Sequence, residues 1–203
     1  MQPLEEACNR VEARTVGAED LWVFGYGSLM WRPGFPYLET RQAVLEGFHR
    51  SFCVYSRYWR GTPERPGLVL GLTPGGCCRG LVFRVAAAQR ANVMDYLSER
   101  ELAAYAYVAQ HLPLTLSGDL SGSRVEACCF VADQNHCHYA GDLGVNEAAQ
   151  IIMDAEGKAG LNRDYLINTI RELEIHGYAE PDLQQLLRTV EHLTGIIESG
   201  GGI

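Results

Sequence analysis

Strand-like sequence fills the first half of this chain and helical sequence fills the last third, an order that excludes more architectures than any other single feature. The apolar run Leu21-Trp22-Val23-Phe24 ends at glycine. Residues 44–55 mix apolar, β-branched and aromatic positions, and residues 68–72 follow a Pro66-Gly67 turn signal. Residues 79–85 follow Gly75-Gly76 and read as a further strand. Residues 86–100 hold no glycine or proline and place Val93, Met94 and Leu97 at helical spacing. Strand character returns over 105–116 and 124–132. Helices are expected over 145–156 and over 162–176, the latter with Asn162 as N-cap and Gly177 just past its end. Pro181 suits a first helical position, and Leu183, Leu186, Leu187, Val190 and Leu193 form an apolar stripe behind it. This is not the βαβ alternation of a doubly wound sheet. The expected fold is α+β: a mixed or antiparallel, barrel-like sheet with flanking helices and a helical C-terminal third. Residues 1–20 read as a polar N-terminal extension, 21–198 as a single domain and 199–203 as a flexible tail.

Charge narrows the class of partner. The net charge is −8, and no basic face of the kind a nucleic-acid binder carries stands out. No stretch approaches the ~20 apolar residues that span a bilayer. The opening Met1-Gln2-Pro3-Leu4-Glu5-Glu6 lacks an apolar core and does not read as a secretory signal. A cytoplasmic protein without nucleic-acid or membrane partners is therefore expected. Its seven cysteines, an odd number, are expected to be reduced thiols.

The segment Phe24-Gly25-Tyr26-Gly27-Ser28-Leu29-Met30-Trp31 carries most of the chemical information. Glycines on both sides of a tyrosine, directly after a strand, permit positive φ and close approach of a ligand to the backbone. Successive amides there can form an anion-binding nest. A dinucleotide fingerprint would need a third glycine where Met30 stands, and a P-loop would need Gly-Lys-Ser/Thr, which is absent. Spacing alone leaves two readings open, a tight turn between strands or a ligand cradle.

Four ordered motifs decide between them by resemblance. Val23 through Trp31 resembles the signature of the ChaC-type γ-glutamylcyclotransferases. Arg60-Gly61-Thr62-Pro63-Glu64-Arg65-Pro66-Gly67 resembles that family's RGTPExPG turn. Tyr96-Leu97-Ser98-Glu99-Arg100-Glu101, with Tyr105 four residues on, resembles its YLxxRE…Y segment, with Ala103-Ala104 where the family usually has glycines. Gly157-Lys158-Ala159-Gly160-Leu161-Asn162 with Tyr165-Leu166 is similar to its GPSGxNxxYL. The resemblance runs from about Leu21 to Leu193.

That resemblance implies an intramolecular reaction. The α-amine of a γ-glutamyl unit attacks its own γ-carbonyl, a lactam (5-oxoproline) forms, and the amine on the other side leaves. From glutathione the second product is Cys-Gly, and no cofactor takes part. One carboxyl group can take the proton from the α-ammonium and return it to the leaving nitrogen. Glu99 and Glu101 are both candidates from composition, and the motif places the role on Glu101, directly after arginine. The resemblance further implies that Val23, Phe24, Gly25, Tyr26, Gly27, Ser28 and Leu29 line the substrate site. Tyr105 is expected near the α-amino-acid end, and Arg57 and Arg60 are candidates for the glycine carboxylate of glutathione. The expected partner is a small molecule, glutathione or another γ-glutamyl compound. The remaining alternatives are the same reaction on other γ-glutamyl amines or dipeptides, and a γ-glutamyl-binding module without turnover.

Cys77-Cys78, Cys128-Cys129 and His136-Cys137-His138 raise the question of a metal. Zinc sites space their cysteines by two to four residues, and adjacent cysteines on a strand face opposite ways. No metal is expected, nor a cysteine nucleophile.

Overall fold

The computed structural model describes residues 19–102, 106–118 and 122–195. Five strands close into a barrel: β1 (Leu21–Gly25), β2 (Glu39–Ser56), β3 (Gly67–Val85), β4 (Tyr107–Leu116) and β5 (Arg124–Ala132), in the order β1-β3-β2-β4-β5. β1 runs antiparallel to β3, with Leu21 opposite Val85 and Gly25 opposite Leu81, and parallel to β5, with Trp22 opposite Ala127. The sheet is therefore mixed, and the barrel-like α+β expectation holds.

The two strands expected at 68–72 and 79–85 are one. Gly75 and Gly76 both take positive φ, 107° and 67°, near the bulge at Gly47 (φ 83°) on the partner strand. The glycines let the ladder bend there without ending it. A second register shift falls between Phe52 and Val54. Bending lets the long β2–β3 hairpin wrap the core, where Phe24, Phe83, Phe130, Leu45, Leu68, Leu70, Leu72 and Leu114 are fully buried.

The helix expected over 86–100 divides into three pieces. A 3₁₀ turn (Ala87–Gln89) leads into α1 (Arg90–Leu97), which widens into a π-helical turn (Ser98–Leu102). Such π turns shift side-chain direction and recur at functional sites; this one carries Arg100 and Glu101.

The C-terminal third holds α2 (Val145–Asp154), a two-residue-per-strand hairpin of β6 (Glu156–Gly157) and β7 (Gly160–Leu161), α3 (Asn162–Ile175) and α4 (Pro181–Leu193). α3 ends in a Schellman motif: Tyr178 N–H donates to Leu173 O (2.8 Å), Gly177 N–H to Glu174 O (3.0 Å), and Gly177 takes φ 73°. On α4, Leu183, Leu186 and Val190 of the expected stripe are buried. Burying each such side chain contributes ~1.5–3 kcal/mol.

Asn162 departs from expectation. Leu161 is the N-cap of α3 and Asn162 is its first residue. Its buried carboxamide instead lies along β3, accepting from Leu68 N–H and donating to Leu68 O, both at 2.7 Å. The side chain thus acts as a one-residue strand on an edge the barrel leaves unpaired at that point.

Candidate active site

The glycine loop leaves β1 at Gly25 and closes with Met30 N–H donating to Gly27 O (2.9 Å) and Arg32 N–H to Ser28 O (2.9 Å). Neither Gly25 nor Gly27 takes positive φ. Space, not backbone freedom, demands them. A Cβ on Gly25 would lie 3.1 Å from both Leu29 Cβ and Phe83 Cε2, and one on Gly27 would lie 3.1 Å from Tyr165 Oη. Among the described residues, the amides of Tyr26, Gly27 and Ser28 appear as donors in no backbone hydrogen bond.

The sequence-derived loop residues do different things. Val23 and Phe24 are fully enclosed in the core, and Leu29 nearly so. Their side chains build the floor of the loop. Tyr26 is also buried, and its hydroxyl donates to Phe130 O (2.7 Å). Gly25 and Gly27 are buried as well, so between Gly25 and Leu29 only Ser28 is partly exposed. Tyr105 and Ala103-Ala104 lie outside the described residues.

Glu101 sits on the π turn beside this loop. Its side chain is only 13% exposed, whereas Glu99, two residues earlier, is exposed. Burial pushes the Glu101 carboxyl above the usual range, and the neighbouring Arg100 guanidinium, with Nε 3.1 Å from Glu101 Oε1, opposes that shift. The Tyr26 and Tyr165 hydroxyls are held above their usual values by burial first, with the Glu101 charge contributing to both. One carboxyl group therefore faces a loop residue and a helix α3 residue together.

Three participants carry no role in the expectations drawn from sequence. Tyr165 packs its ring against Trp31 and Phe52, with centroids 5.8 Å away in each case, under the Arg60 guanidinium at 5.6 Å. Its hydroxyl hydrogen-bonds the Leu70 backbone. The Tyr107 hydroxyl donates to Leu70 O, so two tyrosines serve the same stretch of β3 edge that Asn162 serves at Leu68. Arg100 contacts the glycine loop through Ser28 Oγ. Tyr165 and Arg100 lie within the recognised motifs, and motif membership was the available signal for them.

The second motif is a packing device. A Cβ on Gly61 would come 2.2 Å from Gly67 N, and one on Gly67 would come 2.1 Å from Arg60 O. Thr62 N–H donates to Arg65 O (2.9 Å) and Arg65 N–H to Thr62 Oγ1 (3.1 Å), closing the turn. Arg60 donates from Nη1 to Leu161 O (3.0 Å), and Arg57 from Nη2 to Pro63 O (3.1 Å). The turn thereby holds the start of α3, and with it Tyr165, against the barrel.

A cavity of about 240 Å³ lies elsewhere, lined by Tyr55, Arg57, Pro66, Cys137 and His138 rather than by Glu101. Among the described residues no group of three His, Cys, Asp or Glu side chains could hold a metal ion. Cys53, Cys77, Cys78, Cys128, Cys129 and Cys137 are free thiols. No described helix is long and apolar enough to cross a membrane.

Known proteins share this arrangement of sequence and fold. The chain is 34% identical over 173 residues to the glutathione-specific γ-glutamylcyclotransferase of Escherichia coli, covering 85% of this chain and 74% of that one. It is 30% identical over 183 residues to human glutathione-specific γ-glutamylcyclotransferase 1, covering 89% and 78%. The fold matches the crystal structure of a yeast γ-glutamylcyclotransferase specific to glutathione with a TM-score of 0.79 at 22% identity, over 86% of this chain and 96% of that one. The model of the ChaC-like proteins matches residues 21–193, a span that contains all four motifs. The chain belongs to the ChaC-like protein family.

Proposed function

We propose that this protein is a cytoplasmic γ-glutamylcyclotransferase whose substrate is glutathione, which it converts to 5-oxoproline and Cys-Gly. The observation that carries the reading is the placement of Glu101: a nearly enclosed carboxyl with a raised pKa, beside a glycine loop too tight for side chains at Gly25 and Gly27. The names of the relatives in Escherichia coli and human point to the same substrate.

The γ-glutamyl unit lies against the loop at Ser28, its carboxylate or developing oxyanion meeting the amides of residues 26–28 and the Ser28 hydroxyl. Glu101, ionised, takes a proton from the α-ammonium. The freed amine attacks the γ-carbonyl carbon, and the new C–N bond closes the five-membered ring. The tetrahedral intermediate collapses with cleavage of the γ-amide bond; Glu101 returns its proton to the departing cysteinyl nitrogen, and the second proton of the attacking nitrogen passes to the same amine, leaving a neutral lactam and an ammonium. Neither water nor a redox partner enters the balance. A pKa raised toward neutrality suits a group that must be base and then acid in one turnover. The groups offered by residues 23–29 and the acid/base of Glu101 belong to one working unit spanning 21–198.

The test is a substrate panel. Glutathione, γ-glutamyl dipeptides and a γ-glutamyl amine are incubated with the protein and products are read by mass spectrometry. Formation of 5-oxoproline with Cys-Gly from glutathione supports the reading. Product from the dipeptides and none from glutathione moves the activity to those substrates, and no product from any of them removes the reaction.

A further inference from the structure

Arg100 makes contacts that ordinary surface pairing of an arginine with its neighbour does not need. Its Nη1 donates to Arg32 O (2.6 Å), Pro33 O (3.1 Å) and Tyr96 Oη (2.9 Å). Its Nη2 donates to Ser28 Oγ (3.0 Å), and its Nε lies 3.1 Å from Glu101 Oε1. All three guanidinium nitrogens are engaged, four of the five partners lie on or against the loop that follows β1, and the fifth is Glu101 itself. The loop is shaped to receive it. Gly34 takes φ 77°, and a Cβ there would lie 2.1 Å from Tyr96 Oη, so the chain passes directly over the hydroxyl that Arg100 also holds. The Arg100 cation stands 5.9 Å from the Tyr96 ring centroid.

We propose that Arg100 is a positioning residue that fixes the Glu101 carboxylate and the Ser28 hydroxyl relative to each other through one planar guanidinium. The inference rests on the reading of Glu101 as acid/base. Two consequences follow from donor and acceptor chemistry. Ser28 Oγ accepts from Arg100, so its own proton is left for the substrate, and the hydroxyl is fixed as a donor. Glu101 Oε1 is tied to Nε, which leaves Oε2 for proton transfer. An ammonium on a flexible stem reproduces neither pairing, because the fork geometry is what joins them.

Among the described residues, the titratable and charged groups facing Glu101 are Arg100 on its own turn, Tyr26 of the loop and Tyr165 of α3. Two readouts on Arg100→Lys and Arg100→Gln test the proposal. The first is the ¹³C titration of the Glu101 carboxyl without substrate, assigned by its loss in Glu101→Gln. The second is the pH dependence of kcat and KM for glutathione, with Ser28→Ala combined with each. Arg100→Gln is expected to move the Glu101 titration upward, carrying the acid limb of kcat with it, and to lower kcat about 10- to 100-fold. Arg100→Lys is expected to keep the titration nearer to wild type yet still lose about tenfold in kcat. Ser28→Ala is expected to cost much less in either background than alone. An unchanged titration and pH profile with only a lower Tm would overturn the proposal, as would wild-type kinetics in Arg100→Lys. If Arg100→Gln does not fold, the lysine variant decides. If wild type leaves glutathione intact, the cyclotransferase reading fails, and the carboxyl titration still decides whether Arg100 controls Glu101.

Discussion

The Asn162 carboxamide closes both hydrogen bonds of Leu68 on the free edge of β3, donor to carbonyl and acceptor to amide, each at 2.7 Å. This pair joins the barrel to α3, the helix that carries Tyr165. Both Leu68 groups are buried, so removing the carboxamide orphans them. Asn162→Ala is expected to cost ~1–3 kcal/mol for each orphaned group, about 2–6 kcal/mol in total, measured by denaturant unfolding. Asn162→Asp keeps an acceptor for Leu68 N–H but sets a carboxylate against Leu68 O, and is expected to be no more stable than the alanine variant.

Glu101 gives the fold a pH dependence whose sign is set by its raised pKa. Ionising it costs more in the folded chain than in the unfolded one. Its contribution is intact below the ordinary glutamate value of ~4.3 and is lost as pH rises through the raised folded value. Glu101→Gln mimics the neutral acid, so it is expected to unfold at a higher temperature than wild type at pH 7, with the gap closing below about pH 4. Equal melting at pH 7 would remove the buried-carboxyl account.

Gly27 and Gly67 are expected to separate binding from folding. A Cβ on Gly27 meets the Tyr165 hydroxyl at 3.1 Å and Leu70 Cδ1 at 3.4 Å, side-chain atoms that can yield by a few tenths of an ångström. Gly27→Ala should therefore fold and lose about 10- to 100-fold in kcat/KM as the Tyr165 hydroxyl is displaced beside Glu101. On Gly67 the Cβ meets backbone at 2.1 Å. Gly67→Ala should lose about 3 kcal/mol or more. Steady-state kinetics beside thermal melts distinguish the two.

Local pattern was enough for the fold class, and for the strand bearing the glycine loop, because β1, β5 and the last helices announce themselves by apolar runs and stops within a few residues. Asn162 was misplaced because an asparagine before a helix reads as a cap, while its actual partner Leu68 is 94 residues away. The single β3 strand was hidden for a related reason. Gly75-Gly76 signals a turn locally, and only the pairing with Gly47 shows that the ladder runs on through it. At the candidate site, the choice of Glu101 rests on resemblance; the structure adds that Glu101 is enclosed and Glu99 exposed, a difference that composition does not contain. The opposing effects of burial and Arg100 on that carboxyl come from three-dimensional packing that no spacing rule contains. Likewise, Gly25 and Gly27 read as sources of backbone freedom, whereas steric contact with Leu29, Phe83 and Tyr165 is what excludes a side chain there.

The most direct measurement compares wild type, Glu101→Gln and Glu99→Gln with glutathione, following Cys-Gly and 5-oxoproline by mass spectrometry and binding by calorimetry. Wild type and Glu99→Gln should form both products at similar rates. Glu101→Gln should still bind glutathione while losing about 10²- to 10⁴-fold in turnover, the usual contribution of a general acid/base. Full turnover by Glu101→Gln, or its loss in Glu99→Gln alone, would contradict the assignment of the chemistry to Glu101.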